Sequence, residues 1–195
     1  MRGPAWRYAV EEAVASVTGR RIDAAPLVDE YRLRPWRHAL SIVLDDARQV
    51  SACEALCPEM FQRSAMKRLL VPEGLGMALD TLRGERIEMG AISREPHTTA
   101  LRQIQSTGLD RFLSVLAATP VGEGWDVAQR LATCQAFLEC PASLCAFVSG
   151  EPIDLWVAAE AGYHPRLAGW AAGAENAAWF PSLALASVMG AAFAG

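Results

Sequence analysis

From Pro72 onward the chain repeats one pattern: an amphipathic helix, a break, then a short, mostly apolar run. Leu75, Leu79 and Leu82 fall at i, i+4 and i+7, Gly84 follows, and IEMGAIS comes next. HTTALRQIQSTG closes on Gly108 ahead of SVLAA; WDVAQRLATCQAFL precedes CAFVSG; PIDLWVAAEAG precedes RLAGWAA. The longer segments have helical period, and the short apolar runs have the length of buried strands. Helices alternating with buried strands predict an α/β fold with a parallel sheet covered on both faces. In such a sheet functional groups gather at the carboxyl ends of the strands.

The first seventy residues read differently, as helices without strands. Val10, Val14 and Val17 share a helical face that Gly19 ends, and a turn is expected around Asp23 to Pro26. Pro35 opens WRHALSIVLDDARQV, where Trp36, Leu40, Val43 and Leu44 predict a helix over residues 36–50, although ALSIVL alone also fits a strand. Pro58 is expected to start another helix, EMFQRSAMKRLL. The expected organisation is a helical segment over 1–70 and an α/β core over 71–195 ending in an apolar tail. With 52% hydrophobic and 21% charged residues, the chain has the composition to fold.

Charge narrows the function. The net charge is −4 and the basic residues are scattered, so no nucleic-acid partner is expected. Lys67 is the sole lysine among 18 basic residues, a bias that points to GC-rich coding. The opening MRGPAWRYAVEEAV carries charge where a secretory leader needs an apolar run, so a cytoplasmic protein is expected. Asn176 to Gly195 lacks charge, but its Ala, Ser and Gly content and Pro181 argue against a membrane span. Five cysteines, an odd number without a CxxC pair, read as reduced thiols. Cys53 and Cys57, four apart, would make half a metal site, but no second Cys/His pair completes it. No metal and no cofactor are expected.

Three segments, VPEGLGMALDTLRGERIEMGAISREP, TTALRQIQSTGLDRFLSVLAA and FVSGEPIDLWVAAEAGY, together resemble the haloacid dehalogenase-like hydrolase superfamily in its helical-cap subgroup, over about residues 70–172. The resemblance implies a parallel-sheet core of haloacid dehalogenase-like type with an N-terminal helical cap segment. It places Ser93 at the family's second motif and Asp154 at the fourth. It also exposes departures. The family's nucleophile is the first aspartate of an Asp-x-Asp at the end of the first strand, just before the cap. MRGPAWRYAVEEAV resembles the start of the cap helix, so strand and nucleophile are both expected to be missing. Where the family places a lysine before proline to neutralise phosphoryl oxygens, Thr119-Pro120 stands; Arg102 and Arg130 are the substitutes to weigh. The first aspartate of the fourth motif is Gly150, with Glu151 one position off.

A rival placement makes ALSIVLDDARQV the first strand, with Asp45 as nucleophile and Ala47 at the acid position. The plainer readings are a solvated turn for Asp45 and Asp46, a helix cap for Ser93, and a helix-dipole charge for Asp154. His38, His97 and His164 are isolated and assemble no catalytic set. Among six tryptophans, Trp6, Trp36 and Trp179 lie outside the resembling core and suit a protein interface. The expectation is a catalytically degenerate, non-phosphatase subunit of a larger, specialised biosynthetic assembly, with a protein partner or self-association. A small-molecule ligand is a further candidate. The alternatives are a repurposed metal-free enzyme using a pocket between cap and core, and a small-molecule phosphatase with Asp45 as nucleophile.

Overall fold

A computed structural model describes residues 3–31, 34–170 and 182–183. The chain divides into two compact units, Met1–Val71 and Pro72–Gly195.

The first unit is helical. Its elements are α1 (Gly3–Thr18), a short α2 (Val28–Tyr31), α3 (Trp36–Val43) and α4 (Ala47–Arg63), with a 3-10 turn over Ala65–Arg68. Ala5, Trp6, Ala9, Val10, Ala13 and Val14 form the buried stripe of α1. Val50, Cys53, Cys57 and Phe61 form that of α4, at the 3–4 residue spacing of one helical face. The small residues let the two helices approach until the Cys53 thiol donates to the Ala13 carbonyl at 3.6 Å. Glu11 ties down the chain beyond α1, its carboxylate accepting from the Ala24 amide at 3.0 Å and from Arg7 Nε at 2.6 Å.

Three expectations need correction here. The helix over 36–50 is interrupted: Leu44 is extended (φ −133, ψ 128), and Asp46 caps α4 by accepting from the Arg48 amide at 2.8 Å. An aspartate that can satisfy a free helix-start amide favours a new start over continuation. Pro58 starts no helix and lies inside α4. An interior proline costs about 3 kcal/mol, but Cys57 and Phe61 beside it are buried against the rest of the unit, and each such side chain returns about 1.5–3 kcal/mol. Finally, Trp6 and Trp36 are no exposed anchors. They stack on each other with centroids 6.0 Å apart and planes 8° apart, and Trp36 also meets Phe61.

The second unit is the α/β core: α5 (Leu75–Gly84), β1 (Gly90–Ser93), α6 (His97–Ser106), β2 (Val115–Ala118), α7 (Val127–Leu138), β3 (Ala146–Ser149), α8 (Pro152–Glu160), β4 (His164–Ala168) and β5 (Ser182–Leu183). Every pairing is parallel, as the alternating pattern requires. Gly108, at φ +67, supplies the left-handed turn after α6. Gly90 is needed for closeness instead, since a Cβ there would meet Val115 Cγ1 at 2.7 Å. The described strands form two sheets, β1-β2 and β3-β4-β5. They share one helical layer. Helix α7 packs on β1 and β2, α8 packs on β3 and β4, and α7 and α8 pack on each other. Ile92 of β1 and Phe147 of β3 both lie against the buried cluster of Val127, Leu131, Ala158 and Tyr163.

Candidate functional site

The carboxyl ends of β1 and β3 are built alike. Each strand ends in a serine whose hydroxyl accepts the amide two residues on: Glu95 to Ser93 and Glu151 to Ser149, both at 3.1 Å. These side-chain turns replace the next rung of a sheet and swing the chain toward the following helix. Ser93 therefore caps no helix; α6 begins after Pro96 without a side-chain cap. The Ser93 carbonyl is held by the residue after β2, the Thr119 amide reaching it at 3.0 Å and the Thr119 hydroxyl at 2.9 Å. Thr119, at the family's lysine position, is buried and used for structure.

Asp154 sits in the first turn of α8, only 5% exposed. Arg94, the residue after β1, donates from Nη2 to both of its carboxylate oxygens at 2.9 Å. Trp125 Nε1 adds a bond to Oδ1 at 3.2 Å, and the Arg94 guanidinium lies 4.7 Å from the centre of the Trp125 ring. A carboxylate this buried needs both charge balance and hydrogen bonds, and it receives both from protein. Sequence reasoning passed over Arg94 and counted Trp125 with the core. The available signal was an arginine directly after a strand-ending serine, with a tryptophan just ahead of the next helix.

The magnesium of the resembling family does not fit these residues. That ion wants hard oxygen ligands converging at about 2.0–2.1 Å. The oxygens of Asp154 are taken by a cation, Gly150 supplies no side chain, and the Ser149 hydroxyl already holds an amide. Among the described residues no three His, Cys, Asp or Glu side chains form a group that could hold a metal.

The structure brings Ser93 and Asp154 to the same end of the core, connected through Arg94. Asp45 belongs to the first unit, exposed in the three-residue link between α3 and α4, and residues 36–43 before it are helix, so it ends no strand. Arg130 is buried, its Nη1 donating to the Ala118 carbonyl at 2.9 Å and its Nη2 engaging Gln129 and Glu123. It lines an open hollow of about 420 Å³ beside β2 with His97, Thr98, Thr119 and Thr133. Arg102 is exposed on α6. His38, His97 and His164 are exposed as well, and His164 Nε2 lies 2.8 Å from the Ser143 carbonyl. Cys53 and Cys57 are free thiols enclosed in the first unit; burial above all, then Cys53 and Glu54, pushes the Cys57 thiol up to about 12. Trp179 and Phe180 lie outside the described residues, as do Leu185 and most of the apolar tail. Among the described residues no helix is long and apolar enough to cross a membrane.

No protein-family model matches the sequence, and no curated protein matches it. Solved structures do match along most of its length. A HAD-superfamily hydrolase of subfamily IA, variant 1, from Geobacter sulfurreducens superposes with a TM-score of 0.69 at 16% identity, covering 84% of this chain and 80% of that one. A haloacid dehalogenase-like family hydrolase from Streptococcus pneumoniae gives 0.66 at 11% identity, covering 96% and 82%. Protein Tyrosine Kinase A of Mycobacterium tuberculosis gives 0.70 at 15%, covering 98% and 94%. The fold of this chain is thus that of the haloacid dehalogenase-like hydrolases.

Proposed function

We propose that this chain, with its haloacid dehalogenase-like fold, is a non-phosphatase that serves as a subunit of a larger assembly. One observation carries the reading: the retained carboxylate of the fourth motif, Asp154, is consumed by Arg94 and Trp125. Phosphoryl transfer in such a fold needs a nucleophile, a cation for the phosphoryl oxygens and a metal-binding carboxylate set. Here the carboxylate is neutralised internally, the lysine position is a buried threonine, and Asp45 stands in an exposed link of the helical unit. A fold kept without its chemistry is useful for what it binds.

The test is turnover of p-nitrophenyl phosphate by the purified chain with and without magnesium. No metal-dependent turnover is expected. Turnover that needs magnesium and disappears in Asp45→Asn would overturn the reading in favour of a phosphatase.

A further inference from the structure

The cysteines of the chain divide by reach. Cys53, Cys57 and Cys134 are buried, whereas Cys140 and Cys145 are half-buried and keep part of their surface in water. A thiol shut away from solvent in apolar surroundings is inert, so the first three are set aside by position. The other two flank the turn between α7 and β3, at the amino end of that strand, while Asp154 and Arg94 meet beyond its carboxyl end.

Local structure brings the two sulfurs together. Helix α7 stops at Glu139, whose φ of +51 is in the left-handed region that favours glycine, and the chain turns sharply there. Pro141 then leads into a 3-10 turn over Ala142–Leu144, closed by the Leu144 amide on the Pro141 carbonyl and the Cys145 amide on the Ala142 carbonyl, both at 2.9 Å. The turn folds Cys145 back toward Cys140. The Cys145 thiol donates to the Pro141 carbonyl at 3.4 Å, and the Cys140 thiol donates to the same oxygen at 3.8 Å. Burial first, and then the Cys140 thiol beside it, raise the Cys145 thiol above the usual cysteine value. The turn is also anchored on β4: the His164 amide reaches the Cys145 carbonyl at 2.9 Å, and His164 Nε2 lies 2.8 Å from the Ser143 carbonyl. On the solvent side, Cys140 lines a shallow, open hollow of about 400 Å³ with Gln135, Glu139 and Pro141.

We propose that Cys140 and Cys145 are a redox modification site, forming a reversible disulfide by exchange with low-molecular-weight disulfides that reach Cys140 through this hollow. The Cys140 thiolate attacks one sulfur of the small disulfide and expels one thiolate, leaving a mixed disulfide. Cys145 then gives its proton to water and attacks the Cys140 sulfur, expelling the second thiolate. The two cysteines lose two electrons and two protons, and the small disulfide gains them as two free thiols. Cys145 holds its proton until the second step, which makes Cys140 the point of entry. The new bond closes a ring of six residues and ties the end of α7 to the start of β3.

The test equilibrates the full chain in mixtures of reduced and oxidised glutathione, quenches it in acid and alkylates the remaining thiols in urea. Cleavage after Arg130 and Arg166 leaves Cys134, Cys140 and Cys145 on one fragment for mass spectrometry. That fragment should lose two hydrogens and the alkylation of Cys140 and Cys145 together, with Cys134 alkylated throughout. In Cys145→Ser, Cys140 should stop at the mixed disulfide with glutathione. The folded chain should close the bond at an oxidised share at least about tenfold smaller than the urea-unfolded chain, because the turn raises the effective concentration of one sulfur at the other. Four outcomes would overturn the proposal: full alkylation of both thiols at every mixture; glutathione that stays on Cys140 in the parent chain; a bond from Cys134 to either sulfur; or the same midpoint folded and unfolded, meaning that the turn does not organise the pair.

Discussion

The helical unit and the α/β core answer the same burial problem with different completeness. In the first unit Ala5, Ala9, Val10, Ala13, Val14, Cys53 and Cys57 have no exposed surface at all. In the core, β1 and β3 keep every residue at least partly exposed. A helix satisfies its own backbone and needs only one apolar stripe against it, so α1 and α4 close their interface with each other. A strand leaves half of its backbone groups to a neighbour on each side, and among the described residues β1 and β3 are each paired on one side. Completeness in the first unit is a matter of side chains; in the core it is a matter of backbone.

Mutations in the two regions test this contrast. The largest effect expected is from Leu40→Ala, at a site with no exposure: a loss of about 2–5 kcal/mol in urea unfolding. The matched truncation Val148→Ala in β3 should stay within about 0.5 kcal/mol. Equal costs would erase the distinction between a closed region and an open one.

Next in size is Asp154→Asn, which removes the charge that holds Arg94 at the end of the core. Arg94 remains a third exposed, so water offsets part of the loss, and about 1–3 kcal/mol is expected by the same measurement. No change would mean that the ion pair does not hold the ends of β1 and β3 together.

The third effect is silent at neutral pH. Burial raises the Cys57 thiol from 9.0 to about 12 in the folded chain. Above pH 9.0 the unfolded chain releases this proton while the folded chain keeps it, so the associated stability is intact below that pH and is lost as the pH rises toward about 12. Urea midpoints measured across this range should fall, and Cys57→Ala should flatten the fall. An identical slope in the variant would place the alkaline sensitivity outside the helical unit.

The core was the more legible region. Its helices and strands follow from apolar spacing and from glycines such as Gly84 and Gly108, which act locally. The first unit misled where tertiary packing overrode local rules. Pro58 reads as a start because a proline lacks an amide, yet burial of Cys57 and Phe61 carries α4 through it. Residues 36–50 read as one helix because Leu44 fits the stripe, whereas the cap at Asp46 divides it. The resemblance singled out Ser93 and Asp154, which do lie at one end of the core. It could not supply Arg94 or Trp125, since their roles depend on a contact across sixty residues of sequence, between Arg94 and Asp154.

The ion pair between Arg94 and Asp154 also works as a ratchet on what the chain can become. Building a metal centre at this end of the core would require freeing Asp154 from Arg94 and adding a carboxylate at Gly150, and these changes do not help one another singly. Replacing Arg94 first leaves a buried carboxylate without its counter-charge, and placing an aspartate at Gly150 first sets a second negative charge four residues from one already satisfied. Either change alone is expected to cost stability, the non-additive pattern of residues within one network.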